Sequence, residues 1–257
     1  MFAQLVHLLV SNLKNNNDEI ICDLQCEGLL CLQKKDGYGF TTDAVLLANF
    51  IKANKNSVGV EFCAGSGVIS ILVNAKQEVK KIYAVEIQKE LSAMCGRTLE
   101  INGILNIIPV NMALEEFSLN HKEKVDFVFA NPPYYKNKSG KLPQNEQIKI
   151  CKHEILTNID SIINCASLIL KQGGKLFLVH LKARKQEIIE KLKIKGFSIC
   201  KTCDIFPMQN KPSHIFLVEA IFNEYCTNKE LKPIILKNAN GEFTKELTQI
   251  YSGSYCW

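Results

Sequence analysis

Short runs dense in Val, Ile and Phe centre on Val58, Ile82, Ile107, Val125, Leu176, Ile199 and Ile215, and each predicts a strand. Stretches with helical spacing lie between the first six. The clearest runs from Ile155 to Leu170, where Ile155, Ile159, Ile162, Ile163, Ala166 and Ile169 follow the 3.6-residue period. Lys171-Gln172-Gly173-Gly174 is expected to stop it. Another helix is predicted from Thr42 to Lys52, ahead of the first strand. The last two strands are joined by a Pro-bearing loop from Phe206 to Ser213 without a helix, so an antiparallel hairpin is expected there. The sum is an α/β fold, a doubly wound, mostly parallel sheet of seven strands ending in that hairpin. In such sheets the ligand crevice opens at the carboxyl ends of the strands.

Two strand ends carry candidate chemistry. The apolar run Val125-Asp126-Phe127-Val128-Phe129-Ala130 reads as a buried strand ending at Asn131-Pro132-Pro133-Tyr134. An amino group conjugated to an aromatic ring is a poor nucleophile. The Asn131 side-chain oxygen and the Pro132 carbonyl could accept both its protons and localise its lone pair toward an incoming methyl group. Tyr134 supplies a flat face for a planar base, and the two prolines stiffen the turn. This pattern points to amino methylation, against the plainer reading of a proline turn after a strand.

Upstream, Val58-Gly59-Val60-Glu61-Phe62-Cys63-Ala64-Gly65-Ser66-Gly67-Val68-Ile69-Ser70 has the layout of a nucleotide-binding strand-to-helix turn. Gly65 and Gly67 let backbone approach a ligand, and the following helix offers free amides. One strand later, Lys81-Ile82-Tyr83-Ala84-Val85 ends at Glu86, placed to bond two ribose hydroxyls. Neither G-x-G-x-x-G nor G-x-x-x-x-G-K-[ST] occurs, which argues against a dinucleotide or triphosphate cofactor.

In that order along the chain, these motifs resemble the class I S-adenosylmethionine-dependent amino methyltransferases, whose sheet is Rossmann-like. Within that class the chain most resembles the bacterial tRNA(Val) adenine-37 N6-methyltransferases. The narrower resemblance rests on Gly37-Tyr38-Gly39-Phe40-Thr41-Thr42-Asp43-Ala44-Val45-Leu46-Leu47-Ala48, on Asn131-Pro132-Pro133-Tyr134-Tyr135-Lys136 with Lys152-His153-Glu154, and on the tail. In the tail, Leu231-Lys232-Pro233-Ile234-Ile235 is followed by Asn240-Gly241-Glu242-Phe243-Thr244 and Gln249-Ile250-Tyr251. The resemblance implies S-adenosylmethionine as cofactor and an anticodon-loop adenine of tRNA as acceptor. With the motif reading, it makes Asn131, Pro132 and Tyr134 the expected catalytic residues. Thr42, Asp43, Glu61, Cys63, Gly65, Gly67, Glu86, Asn111 and Asn131 are expected to bind cofactor, and Tyr134, Tyr135, Lys136, Lys138 and Lys141 the substrate. The chain departs from the family twice. Cys63 stands where members usually carry Gly, and Val110-Asn111-Met112-Ala113-Leu114 lacks the acid that holds the cofactor's adenine, leaving the Asn111 amide as substitute.

The 257 residues suffice for a sizeable core, and no linker divides them. Residues 18–257 are expected to form one methyltransferase domain, with 1–17 a leader or short helix. Phe2 to Val10 is apolar but too short to span a bilayer, and it lacks the preceding basic residue of a signal peptide. No membrane partner is expected. Eleven cysteines without a signal segment read as free thiols in the cytoplasm. Cys200-Lys201-Thr202-Cys203 has ligand-like spacing but no second pair at regular spacing, so no metal is expected. The net charge of +5 is modest, and its basic residues gather after the motif at Lys136, Lys138, Lys141, Lys149 and Lys152, and again at Lys182, Arg184 and Lys185. Phosphate contact and a solvated surface both fit such a distribution. His153 and Glu154 read as a helix cap and surface pair rather than an acid-base set. Other acceptors remain open: a protein glutamine, as in release-factor methyltransferases, or adenine in DNA. An RNA-binding module without activity is the alternative of a different class.

Overall fold

The computed structural model describes residues 18–37, 39–136 and 145–257, so the expected leader, Lys138 and Lys141 lie outside the described residues. Five strands form the parallel part of one sheet: β3 (Val58–Phe62), β4 (Lys81–Glu86), β5 (Ile107–Asn111), β6 (Val125–Ala130) and β7 (Leu170–Leu181). Antiparallel β9 (Ile215–Phe222) pairs β7 on one side and β8 (Phe197–Phe206) on the other. The long strands therefore lie in the order β5-β4-β3-β6-β7-β9-β8, with the expected hairpin at one end. The sheet has nine strands rather than seven, because β10 (Lys229–Glu230) and β11 (Ile234–Ile235) add in parallel to the outer edge of β8. Two residues are too few to display an alternating pattern.

Both faces of the sheet are covered, as its near-continuous apolar strands require. In β6, Phe127 and Phe129 pack on one side, near Phe50, Ile71 and Phe177, while Val128 joins Ile162, Ile163 and Leu176 on the other. The first side is covered by α1 (Thr42–Phe50) and α2 (Val68–Gln77). On the second lie α4 (Leu114–Asn120), α6 (Ile159–Ile169) and α7 (Lys185–Ile194), while α3 (Lys89–Ile101) follows β4 and α5 (Glu146–Lys152) precedes α6. A last helix, α8 (Lys245–Tyr251), packs Leu247 and Ile250 near α1. Gly59 is required in β3 because a Cβ there would overlap the Phe127 ring of the neighbouring strand.

Three boundaries differ from expectation. The helix predicted from Ile155 begins at Ile159, because the Asn158 side chain accepts the Ser161 amide at 3.0 Å and caps it. It ends at Ile169, before the glycines. Leu170 already pairs with Val125, and pairing resumes only at Lys175 with Phe127, so Gly173 and Gly174 form a bulge within β7. The helix predicted to Lys52 closes at Phe50.

The sequence pattern also gave no sign of a hairpin, β1 (Glu19–Asp23) and β2 (Leu30–Lys34), docked on α3. Asn102 bonds both backbone groups of Leu30, the Thr98 hydroxyl takes the Leu32 amide, and Arg97 holds Glu19 through two contacts of 2.8 Å. The expectation that all thiols are free is corrected. Cys200 is disulfide-bonded to Cys226, with Cα atoms 5.4 Å apart, because the chain after β9 runs back along β8. The other nine are thiols, and buried Cys203 makes no ligand pair with Cys200.

Candidate active site

β3 sits between β4 and β6, so the chain leaves the sheet in opposite directions on either side of it and a crevice opens at the carboxyl ends. A solvent-open cleft of about 640 Å³ lies there. Cys63 and Gly65 after β3, Glu86 to Gln88 after β4, and Met112, Leu114 and Glu115 after β5 line it, as do Asn131 and Pro133 after β6. Ile150, Cys151, Leu156 and Thr157 close its outer wall. A second lobe of about 480 Å³ shares Cys63, Gly65 and Asn131 and is bounded by Phe40, Thr41, Ala44 and Glu61.

Glu86 is almost wholly buried. One of its oxygens accepts the Gly65 amide at 2.9 Å and the other the Gln88 amide at 2.9 Å, so it fixes the turn after β3 against the end of β4. Burial pushes its carboxyl above the ordinary range, and those backbone donors pull it part of the way back. At Gly65, with φ of 56°, a Cβ would project into open space, leaving a backbone cradle beside the Glu86 carboxylate. Cys63 has φ of 58°, the left-handed conformation that glycine would adopt without cost. Gly67 caps α2 with φ of 80°, and a Cβ there would lie 2.5 Å from the Cys95 sulfur.

Several expected cofactor residues make contacts within the fold. Glu61 borders the second lobe, but one of its oxygens takes both the amide and the hydroxyl of Ser70, tying β3 to α2. Gly67 packs against α3. Asn111 donates to the backbone carbonyls of Glu86 and Ile87, locking β5 to β4. Thr42 and Asp43 line neither lobe. Asp43 instead meets the motif. The Tyr134 hydroxyl lies 2.9 Å from Asp43 Oδ2 and 2.8 Å from Asn131 Oδ1.

Pro132 and Pro133 are buried beside Asn131, and the Tyr134 ring packs over His180 with centroids 5.2 Å apart. Tyr135 is partly exposed and leans on the buried His153 ring. The chain beyond the motif is pinned by paired backbone. Tyr135 exchanges hydrogen bonds with Lys152 and Glu154. Buried Arg184 contacts the Tyr134 carbonyl at 3.5 Å and Glu154 at 2.8 Å, and it holds Glu187 through two further bonds. The Glu187 carboxyl is held down at about 2 by Arg184. Glu154 is therefore no surface pair, although it also accepts the Ile159 amide at 3.3 Å and so helps start α6.

The basic groups divide. Lys182 and Lys185 both pair with Asp204, Lys185 also with Glu230, and Lys136 lies 3.4 Å from Glu187. The sequence reading missed Gln88, Met112, Glu115, Cys151, Leu156 and Thr157. Glu115 had a legible signal: it is an acid two residues past Ala113, the position where the absence of one was noted. Among the described residues no group of His, Cys, Asp or Glu could hold a metal ion, and no helix is long and apolar enough to cross a membrane.

Comparisons with known proteins bear on the fold and the family. The chain is 22% identical over 231 residues to a tRNA1(Val) (adenine(37)-N6)-methyltransferase of Shewanella sediminis, covering 85% of this chain and 93% of that one. A protein of the same name from Dyadobacter fermentans is 22% identical, with 75% and 79% covered. Among solved structures, a predicted O-methyltransferase from Agrobacterium tumefaciens superposes with a TM-score of 0.67 at 20% identity, covering 84% of this chain and 98% of that one. The Methanocaldococcus jannaschii tRNA m1G37 methyltransferase does so with a TM-score of 0.59 at 16% identity, covering 82% and 59%. The family described as Methyltransferase small domain matches residues 39–203, well over half the chain, and the chain belongs to it.

Proposed function

We propose that this chain methylates the exocyclic N6 amino group of an adenine in tRNA, using S-adenosylmethionine. The relatives' names support adenine 37 of tRNA(Val) as the position. The observation that carries the reading is the opening of Asn131 and Pro133 onto the same cleft as Gly65 and Glu86, which brings an amino-holding turn to a nucleoside-sized site.

The residues present fit the cofactor. The Glu86 carboxylate can accept ribose hydroxyls, the cradle at Gly65 admits close backbone approach, and Ile87, Met112 and Leu114 offer apolar contact to an adenine face. Glu115 is placed to take the role of the missing acid after the third strand. When bound, the cofactor supplies an electrophilic methyl group on a sulfonium. The chain's own residues then orient and desolvate. Asn131 and the Pro132 carbonyl accept the amino protons of the base, and Tyr134 offers its face. An adenine in a single-stranded loop reaches such a turn at lower unstacking cost than one in a duplex.

Incubating the purified chain with labelled S-adenosylmethionine and, separately, unmodified total tRNA, duplex DNA and a protein extract tests this reading. Label in tRNA alone is expected. Label in protein or DNA would reassign the acceptor.

A further inference from the structure

A phenol carries one proton, yet the Tyr134 oxygen lies within hydrogen-bond distance of two acceptors, Asp43 Oδ2 and the Asn131 atom placed as Oδ1. That proton cannot serve both. Asp43 is the stronger acceptor when ionised, since a charge-assisted bond is roughly twice as strong as a neutral one. With the proton on the Asp43 side, the Asn131 atom facing the phenol oxygen must be a donor. The oxygen and nitrogen of such an amide are distinguished only by their hydrogen-bond partners, so this count decides between two orientations of equal shape.

We propose that Asp43 is a positioning residue: through the Tyr134 hydroxyl it sets the Asn131 amide so that NH2 donates to Tyr134 and the carbonyl oxygen faces the cleft. This deepens the amino-transfer reading and rests on it for its catalytic consequence. Only the carbonyl oxygen can accept a proton from a substrate amino group, and the opposite orientation would present a donor to a donor. Asp43 comes from α1, 91 residues before Tyr134, and it lines neither lobe of the cleft. Burial raises the Asp43 carboxyl above its ordinary range, and the hydrogen bond from Tyr134 and the charge of His214 pull it part of the way back toward the ionised form. The Tyr134 ring is held separately by His180, and the backbone after it by Arg184, so the hydroxyl can be removed without releasing the turn.

Two variants and one spectrum test the assignment. Asp43→Ala removes the acceptor, which turns the phenol proton onto Asn131 and reverses the amide. Its kcat should fall about thirtyfold with the cofactor KM unchanged. Tyr134→Phe leaves the amide without direction and should cost about fivefold. Combining them removes the misdirecting donor, so the double variant should recover to the level of Tyr134→Phe alone. Losses that multiply in the double variant would overturn the proposal. Independently of any activity, the side-chain NH2 resonances of Asn131 in 15N-labelled protein should show one hydrogen-bonded proton that is lost in both single variants. Unchanged resonances would overturn the proposal even in an active enzyme. Failure of the wild type to methylate tRNA would count against the functional reading alone, because the spectrum still reports the amide.

Discussion

Cys63 spends conformational energy where it stands. Its φ of 58° lies in the left-handed region, at a cost of roughly 1–2 kcal/mol for a residue with a Cβ. Cys63→Gly should therefore stabilise the protein by about 1 kcal/mol, read as a higher Tm, and it should also enlarge both lobes at their shared wall. An unchanged or lower Tm would mean that the thiol's packing outweighs the strain. Glu61 gives a second test at this scale. Burial pushes its carboxyl to about 8, so the folded state favours the proton. The stability this confers is complete below the ordinary Glu value and is lost as pH rises through about 8. Glu61→Gln keeps an acceptor for Ser70 and cannot ionise. Wild-type Tm should fall relative to this variant between about pH 5 and 8, and parallel curves would place the ionised form in the fold. The sequence marked Glu61 as a cofactor residue because it precedes a glycine turn. Its partner within the fold, Ser70, lies nine residues along in α2, and nothing in the local pattern announces that bond.

At the scale of elements, the strands of the parallel sheet and the hairpin were legible because each is a short apolar run bounded by turns. What escaped were features set by partners far away in sequence. Glu154 looks like a surface residue until α7 brings Arg184 to it, and the Asn158 cap frees Leu156 and Thr157 to wall the cleft. The β1–β2 hairpin owes its place to Arg97 and Thr98 on α3 and to Asn102 at that helix's C-terminal cap. Arg184 couples the motif's exit to that outer wall. Glu154→Ala leaves a largely buried guanidinium with Glu187 as its remaining charged partner, and it should cost about 2 kcal/mol in urea unfolding. A loss below a few tenths would make the pair ornamental to stability.

Over the whole molecule, the net charge of +5 is unevenly spent. Lys182 and Lys185 are engaged by Asp204, and Lys185 also by Glu230, so neutralising them should change tRNA affinity little. Lys138 and Lys141, outside the described residues, and Lys136, whose largely exposed side chain meets Glu187 at 3.4 Å, are the groups expected to meet phosphates. Neutralising all three should flatten the salt dependence of tRNA binding by about two to three in log-log slope, read by filter binding at several salt concentrations. An unaltered slope would return them to the solvated surface. The cofactor side of the site was legible as a turn plus an acid one strand later. The acceptor side was legible as four residues, and Asp43 as a cofactor residue, but not the contact between Asp43 and Tyr134.

The central claim is that Asn131 delivers an adenine amino group to a methyl donor. Its most direct test is nucleoside mass spectrometry of unmodified tRNA after incubation with S-adenosylmethionine and either wild type or Asn131→Ala. N6-methyladenosine at one anticodon-loop position is expected from the wild type, and about a hundredfold less from the variant at unchanged cofactor affinity. A methylated nucleoside other than N6-methyladenosine, or equal yields from the two proteins, would contradict the account.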